Sequence, residues 1–500
     1  MSSTYIDSSV RLPNIHALGF VGQSRLADEA MCRSAINQFL AQQNSIAGRI
    51  VCGLCSIAPG GDLIFAESCL DLGIPLRLLL PLRPDRFLSD CAAPERSRFE
   101  RVIDGAITVE IVGTEQSSDS GERRYECGLQ TVQQCQHLLA VWNGKPTSGL
   151  GGVSDIIEFA GQMRRPVVWI DSETGVVQSI PQQRKLDQGP EDELSFLNHL
   201  PGNKAACESD DPVALGKQWL AKLDANAAQL APQVRRLAAV PIVCTALAAF
   251  VSGAAQGRHV SGLWIAAGAL LGLTASLLPA ALKLGKRQSL WVRIRTAAEV
   301  TRSILALWDT PVRYQVVGPE ILPELNSMIR SLDFLKAQAG RAAKIQVAQF
   351  KDAYIESRLL DQVKYFSRQS KHSAQMGRRY RLVSKICVVS AILLSIWAFA
   401  GRSAFIASHM DSAGPWLPLL ASALFQIATI AGALLVVNEC ERRERRYREI
   451  HRSLADWQVE LRAFHTWPPV IEVVSKIERA LLVELLEWRS LLQNMKMPRN

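Results

Sequence analysis

Hydrophobic and polar positions follow two rhythms along this chain, and the change falls near residue 180. Before it, short apolar runs alternate with stretches of helical spacing. The runs are IHALGFVG from Ile15, GRIVCGL from Gly48, IPLRLLLP from Ile74, AITVEIV from Ala106, HLLAVW from His137 and RPVVWI from Arg165. Residues 26–43 and 62–72 carry the clearest helical patterns between them. This alternation predicts an α/β domain over residues 1–180, with a parallel sheet covered by helices on both faces.

The second rhythm is coarser. Residues 181–212 are rich in charge, Pro, Gly and Asn and read as a linker that includes a short helix. Beyond them lie four long charge-free runs, counting His as neutral, at 237–257, 259–282, 386–401 and 412–438. A membrane-spanning helix needs about 20 apolar residues. Three runs meet that length, and Leu382 and Val383 extend the third if Lys385 snorkels to the interface. The pattern predicts an all-α membrane region of four transmembrane helices in two hairpins, with long polar helices around them. Residues 213–350 hold the first hairpin and residues 351–500 the second. Each is preceded by a polar helix and followed by a basic one, as a duplicated unit would be.

Charge supports the membrane reading. The chain carries 56 Lys and Arg against 47 Asp and Glu, a formal net charge of +9. Nucleic acid is one partner for such a surplus. Here the densest cationic runs, GRRYRLVSK and ERRERRYREIHR, abut the apolar segments, which points to anionic lipid and away from nucleic acid. Cations crowd the outer ends of both hairpins, whereas the joining loops carry only Arg258 and Arg402. The positive-inside rule then places both termini in the cytoplasm and makes this a multi-pass protein of the inner membrane. No apolar signal core opens the chain, in keeping with a cytoplasmic first domain. Of the 11 cysteines, Cys52 and Cys55 form a lone CxxC without a second ligand pair, so they read as buried thiols and no metal site is expected. The C-terminal stretch keeps apolar residues at helical spacing from Ile471 through Val474, Ile477, Leu481 and Leu485 to Trp488, a stripe that must be buried within the chain or between subunits.

Candidate chemistry gathers where the strands end. In parallel sheets, ligands bind at the carboxyl ends of strands, facing helix N-termini. Three loops fall there. GFVGQSR holds Gly22 and Arg25; APGGDLIFAE holds Gly60, Gly61, Asp62 and Glu67; WNGKPTSGLGGVSD holds Trp142, Asn143, Gly144, Gly151, Gly152 and Asp155. Glycines let a backbone approach phosphate oxygens, and an arginine pairs with phosphate bidentately. Asp62 and Asp155 each follow a Gly-Gly pair at a helix start, as plain caps or as acceptors for ribose hydroxyls. Trp142 reads as a core, lid or base-stacking residue.

These strings resemble the SLOG superfamily of Rossmann-like nucleotide-sensor domains over about residues 10–180. The carrying pieces are GFVGQSR, GGDLIFAE followed by LGIPLRLLLP, and VWNGKPTSGLGGVSDIIEFA followed by RPVVWI. The resemblance implies a nucleotide or nucleotide-derived second messenger in this mouth, with no other cofactor. It departs in having Val153 where members often carry Thr, and in lacking the PGG-x-GT-x-x-E string of the hydrolytic branch. If the domain processed its nucleotide, Glu67 or Glu158 would be the assisting acid, although Glu158 is offset from the family position. The region 213–495 resembles the SLATT family of two-transmembrane effectors, on LWVRIRTAAEVTRS, RLLDQVKYFSRQSKHS and ERALLVELLEW. That resemblance implies homo-oligomeric assembly into a membrane-disrupting pore, in the setting of bacterial antiphage defence.

Overall fold

The structure, a computed structural model, describes residues 10–89, 93–112, 120–146, 150–180, 191–202, 211–256, 266, 270, 272–273, 284–310, 321–339, 345–400, 416–437 and 439–494. The chain forms two compact units. One comprises Met1–Lys222 with Leu307–Lys344, and the other Leu223–Ala306 with Ile345–Asn500.

The first is built on a seven-stranded sheet. Its strands are β1 (Ile15–Gly22), β2 (Ile50–Cys55), β3 (Leu76–Leu80), β4 (Thr108–Ile111), β5 (His137–Trp142), β6 (Val167–Asp171) and β7 (Val177–Ile180), in the order β4-β3-β2-β1-β5-β6-β7. Pairing is parallel from β4 through β6, in agreement with the alternation read from the sequence. The exception is β7, which pairs antiparallel with β6. A tight turn makes that pairing, with Asp171 Oδ1 accepting from the amides of Glu173 and Thr174 and Gly175 at φ +72°. The parallel sheet expected from the sequence therefore becomes a mixed one with an antiparallel edge.

The strands are buried on both faces, as continuous apolar runs demand. Leu18, Phe20, Leu139 and Val141 face a core with α1 (Glu29–Asn44), α2 (Gly61–Asp71) and α4 (Ala93–Gly105); a short α3 (Pro84–Ser89) lies between the last two in sequence. The alternate residues Leu138 and Ala140 face α5 (Ser120–Gln134) and α6 (Val153–Gln162) through Val132, Cys135, Ile156 and Ala160. Cys52 and Cys55 are buried thiols within β2 and form no disulfide.

The domain boundaries differ from those drawn on composition. Within 181–212 lies α7 (Glu191–Asn198), and the Asn198 side chain exchanges two hydrogen bonds with the backbone of Leu12. Helix α8 (Pro212–Gln256) begins in the same unit: Trp219 is fully buried, and Lys222 Nζ donates to the carbonyls of Val10 and Asn198. Residues 307–344, expected in the first two-span unit, belong here as well. Ser331 Oγ donates to the Pro13 carbonyl, and Phe334 packs against Ile15 and Cys52. Phe334 thus covers apolar side chains of β1 and β2.

The second unit is helical. It contains α9 (Leu284–Ala306), then α11 (Val347–Tyr354), which runs through a π-helical turn (Ile355–Leu359) into α12 (Leu360–Ala400). After these come α13 (Trp416–Val437), α14 (Cys440–Ala463) and α15 (Trp467–Asn494). Between the units in sequence, α10 (Asn326–Ala339) belongs with the sheet. Among the described residues, two helices are long and apolar enough to cross a membrane: Val347–Trp397 and Leu420–Ala463, each with an apolar window of which less than a fifth is buried. They contain most of the runs 382–401 and 412–438. They pack through small residues, with Ala391, Ala421, Ala428 and Ala431 buried, as helices in lipid do. Of the first pair, 237–257 is helical as far as Gln256, and 259–282 lies almost wholly outside the described residues.

Of the stripe on α15, Val474, Ile477, Leu481 and Leu485 are buried, while Ile471 and Trp488 are half-buried. Glu478, on the same helix, is fully buried too. It accepts from Arg358 Nε and Nη2, Tyr354 Oη and Ser303 Oγ, at 2.7–3.1 Å.

Candidate ligand site at the carboxyl edge of the sheet

From β1 the chain winds outward through β2 and β3 to β4, then crosses back to place β5 against the other side of β1. The loops after β1 and β5 therefore leave toward opposite faces. A crevice opens between them, at the position where doubly wound sheets bind ligands.

Gln23, the first residue beyond β1, ties this crevice together. Its amide donates to the Val141 carbonyl and its own carbonyl accepts from Gly61. Its Nε2 donates to Asn143 Oδ1, and its Oε1 accepts from Ser172 Oγ, both at 2.9 Å. One side chain thus joins the ends of β1, β5 and β6. Asn143 also accepts from the Lys145 amide, while Trp142 Nε1 donates to the Lys145 carbonyl and Trp169 Nε1 to that of Trp142. Gly144, at φ +76°, allows this turn. Trp142 packs on Trp169 with ring centroids 5.6 Å apart, so it is part of the loop's own framework.

The glycines serve close packing of one loop on another. A Cβ on Gly22 would sit 2.8 Å from Gly61 Cα, and one on Gly60 would sit 2.6 Å from the carbonyl oxygens of Gln23 and Ser24. Gly151, at φ +87°, presses on the start of α5 at Gly121 and Tyr125, and Gly152 is the N-cap of α6. These contacts account for glycine at Gly22, Gly60 and Gly151 before any ligand is invoked.

The two Gly-Gly…Asp arrangements differ. Asp155 turns back on its own loop: Oδ2 accepts from the Gly151 amide at 3.0 Å and Oδ1 from Ser154 Oγ. It is a local cap. Asp62 reaches across to β1, where Oδ1 accepts from the Gly22 amide at 2.8 Å. Burial pushes its carboxyl up to about 7, against the opposing pull of that amide. Near neutral pH, Asp62 thus holds its proton part of the time and can either donate to or accept from a hydroxyl.

Arg25 is exposed at the lip of the crevice. Glu67 and Glu158 are elsewhere. Glu67 sits in the helical layer, bound by Arg33 at 2.5 Å and by Arg98 at 2.7 and 2.8 Å. Burial lifts its pKa, and the two guanidinium groups more than reverse this, holding it below the usual carboxylate range. Glu158 is exposed on α6. Sequence reasoning missed Gln23 and Ser172. Gln23 is the first residue beyond β1 and Ser172 the first beyond β6, and a polar side chain just past a strand end was the available signal.

No protein-family model matches the chain, and no curated protein sequence matches it.

Proposed function

We propose that this protein is a membrane effector gated by a nucleotide-derived signal. The carrying observation is that one chain joins a switch-point crevice to two apolar helices of membrane-crossing length. In this reading the signal sits across the ends of β1 and β5. Arg25 meets its phosphate, and Asp62 with the Gln23–Asn143 pair meets its hydroxyls and base edges. Two hairpins, four spans in all, cross the inner membrane with both termini in the cytoplasm, and copies of the chain assemble through them. A ligand drives such a change only by binding the active arrangement more tightly than the resting one. The resemblances to SLOG and SLATT support a response in antiphage defence, as a pore or a loss of membrane integrity.

The test is dye release from liposomes holding the full chain, across a panel of mono-, di- and cyclic nucleotides. Release with one nucleotide class, reduced at least about tenfold in sensitivity by Arg25→Ala, is expected; one charge-assisted contact is worth about that much. Silence across the panel, in both release and thermal shift, would overturn the reading.

A further inference from the structure

The helical unit holds a cavity of about 200 Å³ whose walls are arginine and aromatic rings. Trp291 and Arg295 come from α9, Arg358 from the π-helical turn, Arg443 and Tyr447 from α14, and Trp488 from α15. We propose that this cavity is an anion site for a small phosphate monoester bearing a flat or apolar group, separate from the crevice in the sheet.

Arg358 is the first argument. Its side chain is 5% exposed. Nε and Nη2 are engaged by Glu478 and Ser303, whereas Nη1 is buried with no hydrogen-bond partner. A buried N–H left unpaired costs on the order of 1–3 kcal/mol. This one belongs to a guanidinium that lines the cavity. Its backbone adds a second signal: it lies in a π-helical turn, a rare geometry frequent at functional sites.

The charges around it are asymmetric. Arg443 makes no hydrogen bond or ion pair through its side chain among the described residues, although the Glu484 carboxylate lies within electrostatic range. Arg295 lies over the Trp488 ring at 5.4 Å, with Glu299 only at the 4.0 Å limit of a pair. The two acids on the wall are engaged from outside the cavity: Glu299 pairs with Arg302 at 2.6 Å, and Glu484 pairs with Arg446. Three guanidinium groups thus share a small space whose acids already have partners. Guanidinium forks match phosphate oxygens, and low surrounding polarity strengthens that match.

The rest of the wall sets the size of the ligand. Trp291 and Trp488 meet edge to face at 5.2 Å, so the wall beside the guanidinium groups is aromatic. Drug-sized ligands fill roughly 300–1,000 Å³, so this cavity suits a phosphate carrying a single ring and excludes a dinucleotide. A soluble phosphate ester and a phosphatidic acid headgroup share this chemistry.

Calorimetric titration of the full chain in neutral detergent with phenyl phosphate, inorganic phosphate and phenol tests the assignment. Saturable binding of phenyl phosphate is expected, about tenfold tighter than inorganic phosphate, with no binding of phenol. Arg443→Gln and Arg295→Gln should each weaken binding about tenfold while leaving the melting temperature close to that of the unaltered chain, since neither arginine holds a close ion pair. Asp62→Asn, which perturbs only the crevice of the sheet, should leave the affinity unchanged. In nanodiscs, phosphatidic acid should abolish the phenyl phosphate titration if the natural source is lipid, and leave it intact beside pure phosphatidylcholine if the source is soluble. Absence of saturable binding, or equal affinity in both arginine variants and the unaltered chain, would overturn the site. Loss of binding in Asp62→Asn alone would overturn it too, by moving the anion to the sheet.

Discussion

The carboxyl edge of the sheet and the helical unit both bury polar chemistry, and they do so by opposite means. At the carboxyl edge of the sheet, Gln23, Asn143, Ser172 and backbone amides satisfy one another. The one buried acid there, Asp62, is driven halfway to its neutral form. In the helical unit a full ion pair is enclosed, with Arg358 5% and Glu478 0% exposed. The contrast follows from the elements. Strand ends and the loops beyond them offer free backbone donors, so a buried side chain finds neutral partners nearby. Helices consume their own backbone groups, so a buried polar side chain among them must find another side chain, and charged partners bind most strongly.

That difference predicts very different costs of disruption. The largest belongs to the helical pair. Arg358→Met strands the Glu478 carboxylate, and Glu478→Leu strands the guanidinium; either should cost about 3–5 kcal/mol. The double substitution removes both charges and should recover most of the loss. Thermal unfolding of the purified chain in detergent reads this directly. Single-variant losses below about 1 kcal/mol would mean that the pair is solvated, and the contrast would fail.

The acid in the sheet unit gives a smaller effect, visible only as a pH dependence. Its carboxyl has a native pKa of about 7 against 3.8 unfolded, so between those values the native state holds a proton that the unfolded state has released. Stability from this group therefore falls as pH rises through that window, by at most about 4 kcal/mol. His16 acts in the opposite sense. Burial, with His137, Arg49 and Arg330 close by, pushes its pKa down to about 3 from 6.5, so its contribution rises over an overlapping window. The unaltered chain alone would show a near cancellation. The informative curve is the difference between Asp62→Asn and the unaltered chain, which should climb in favour of the variant from about pH 4 to 7 and then level off. A flat difference across that range would show Asp62 to be solvated.

Legibility in the sequence followed the range of the interactions. Six strands and the helices after β1 and β2 were readable, because each is set by local periodicity. Strand β7 was not: VQSI is four residues long, mostly exposed, and held in place by the turn at Asp171. The return of 307–344 to the sheet unit was equally silent, since it depends on contacts such as Ser331 with Pro13, 318 residues apart. Glu478 interrupts an apolar stripe and reads as a solvated edge until Arg358, 120 residues away, is placed beside it. At the sheet edge the three loops were readable, whereas the contacts between them were not. A glycine in a sequence announces that a side chain is unwelcome without saying what would meet it.

A pair of glycines turns that last point into the smallest and most local test. Gly60 and Gly48 have nearly the same backbone, at φ +88° and +81°. Around Gly48 nothing lies within 4 Å of an added Cβ, whereas at Gly60 the carbonyl oxygens of Gln23 and Ser24 are 2.6 Å away. Alanine at Gly48 should cost only the left-handed backbone penalty, about 1 kcal/mol. Alanine at Gly60 adds a clash with two backbone oxygens that no side-chain rotation relieves, for a total of about 2–3 kcal/mol. It also pushes the loop after β1 away from α2, and with it the Gln23 carbonyl that accepts from Gly61. The two melting temperatures should therefore separate, with Gly60→Ala the lower. Amide exchange at Gly61 should quicken in that variant alone. Equal melting temperatures would mean that the loops do not meet at Gly60, and that its positive φ is free to serve a ligand's phosphate after all.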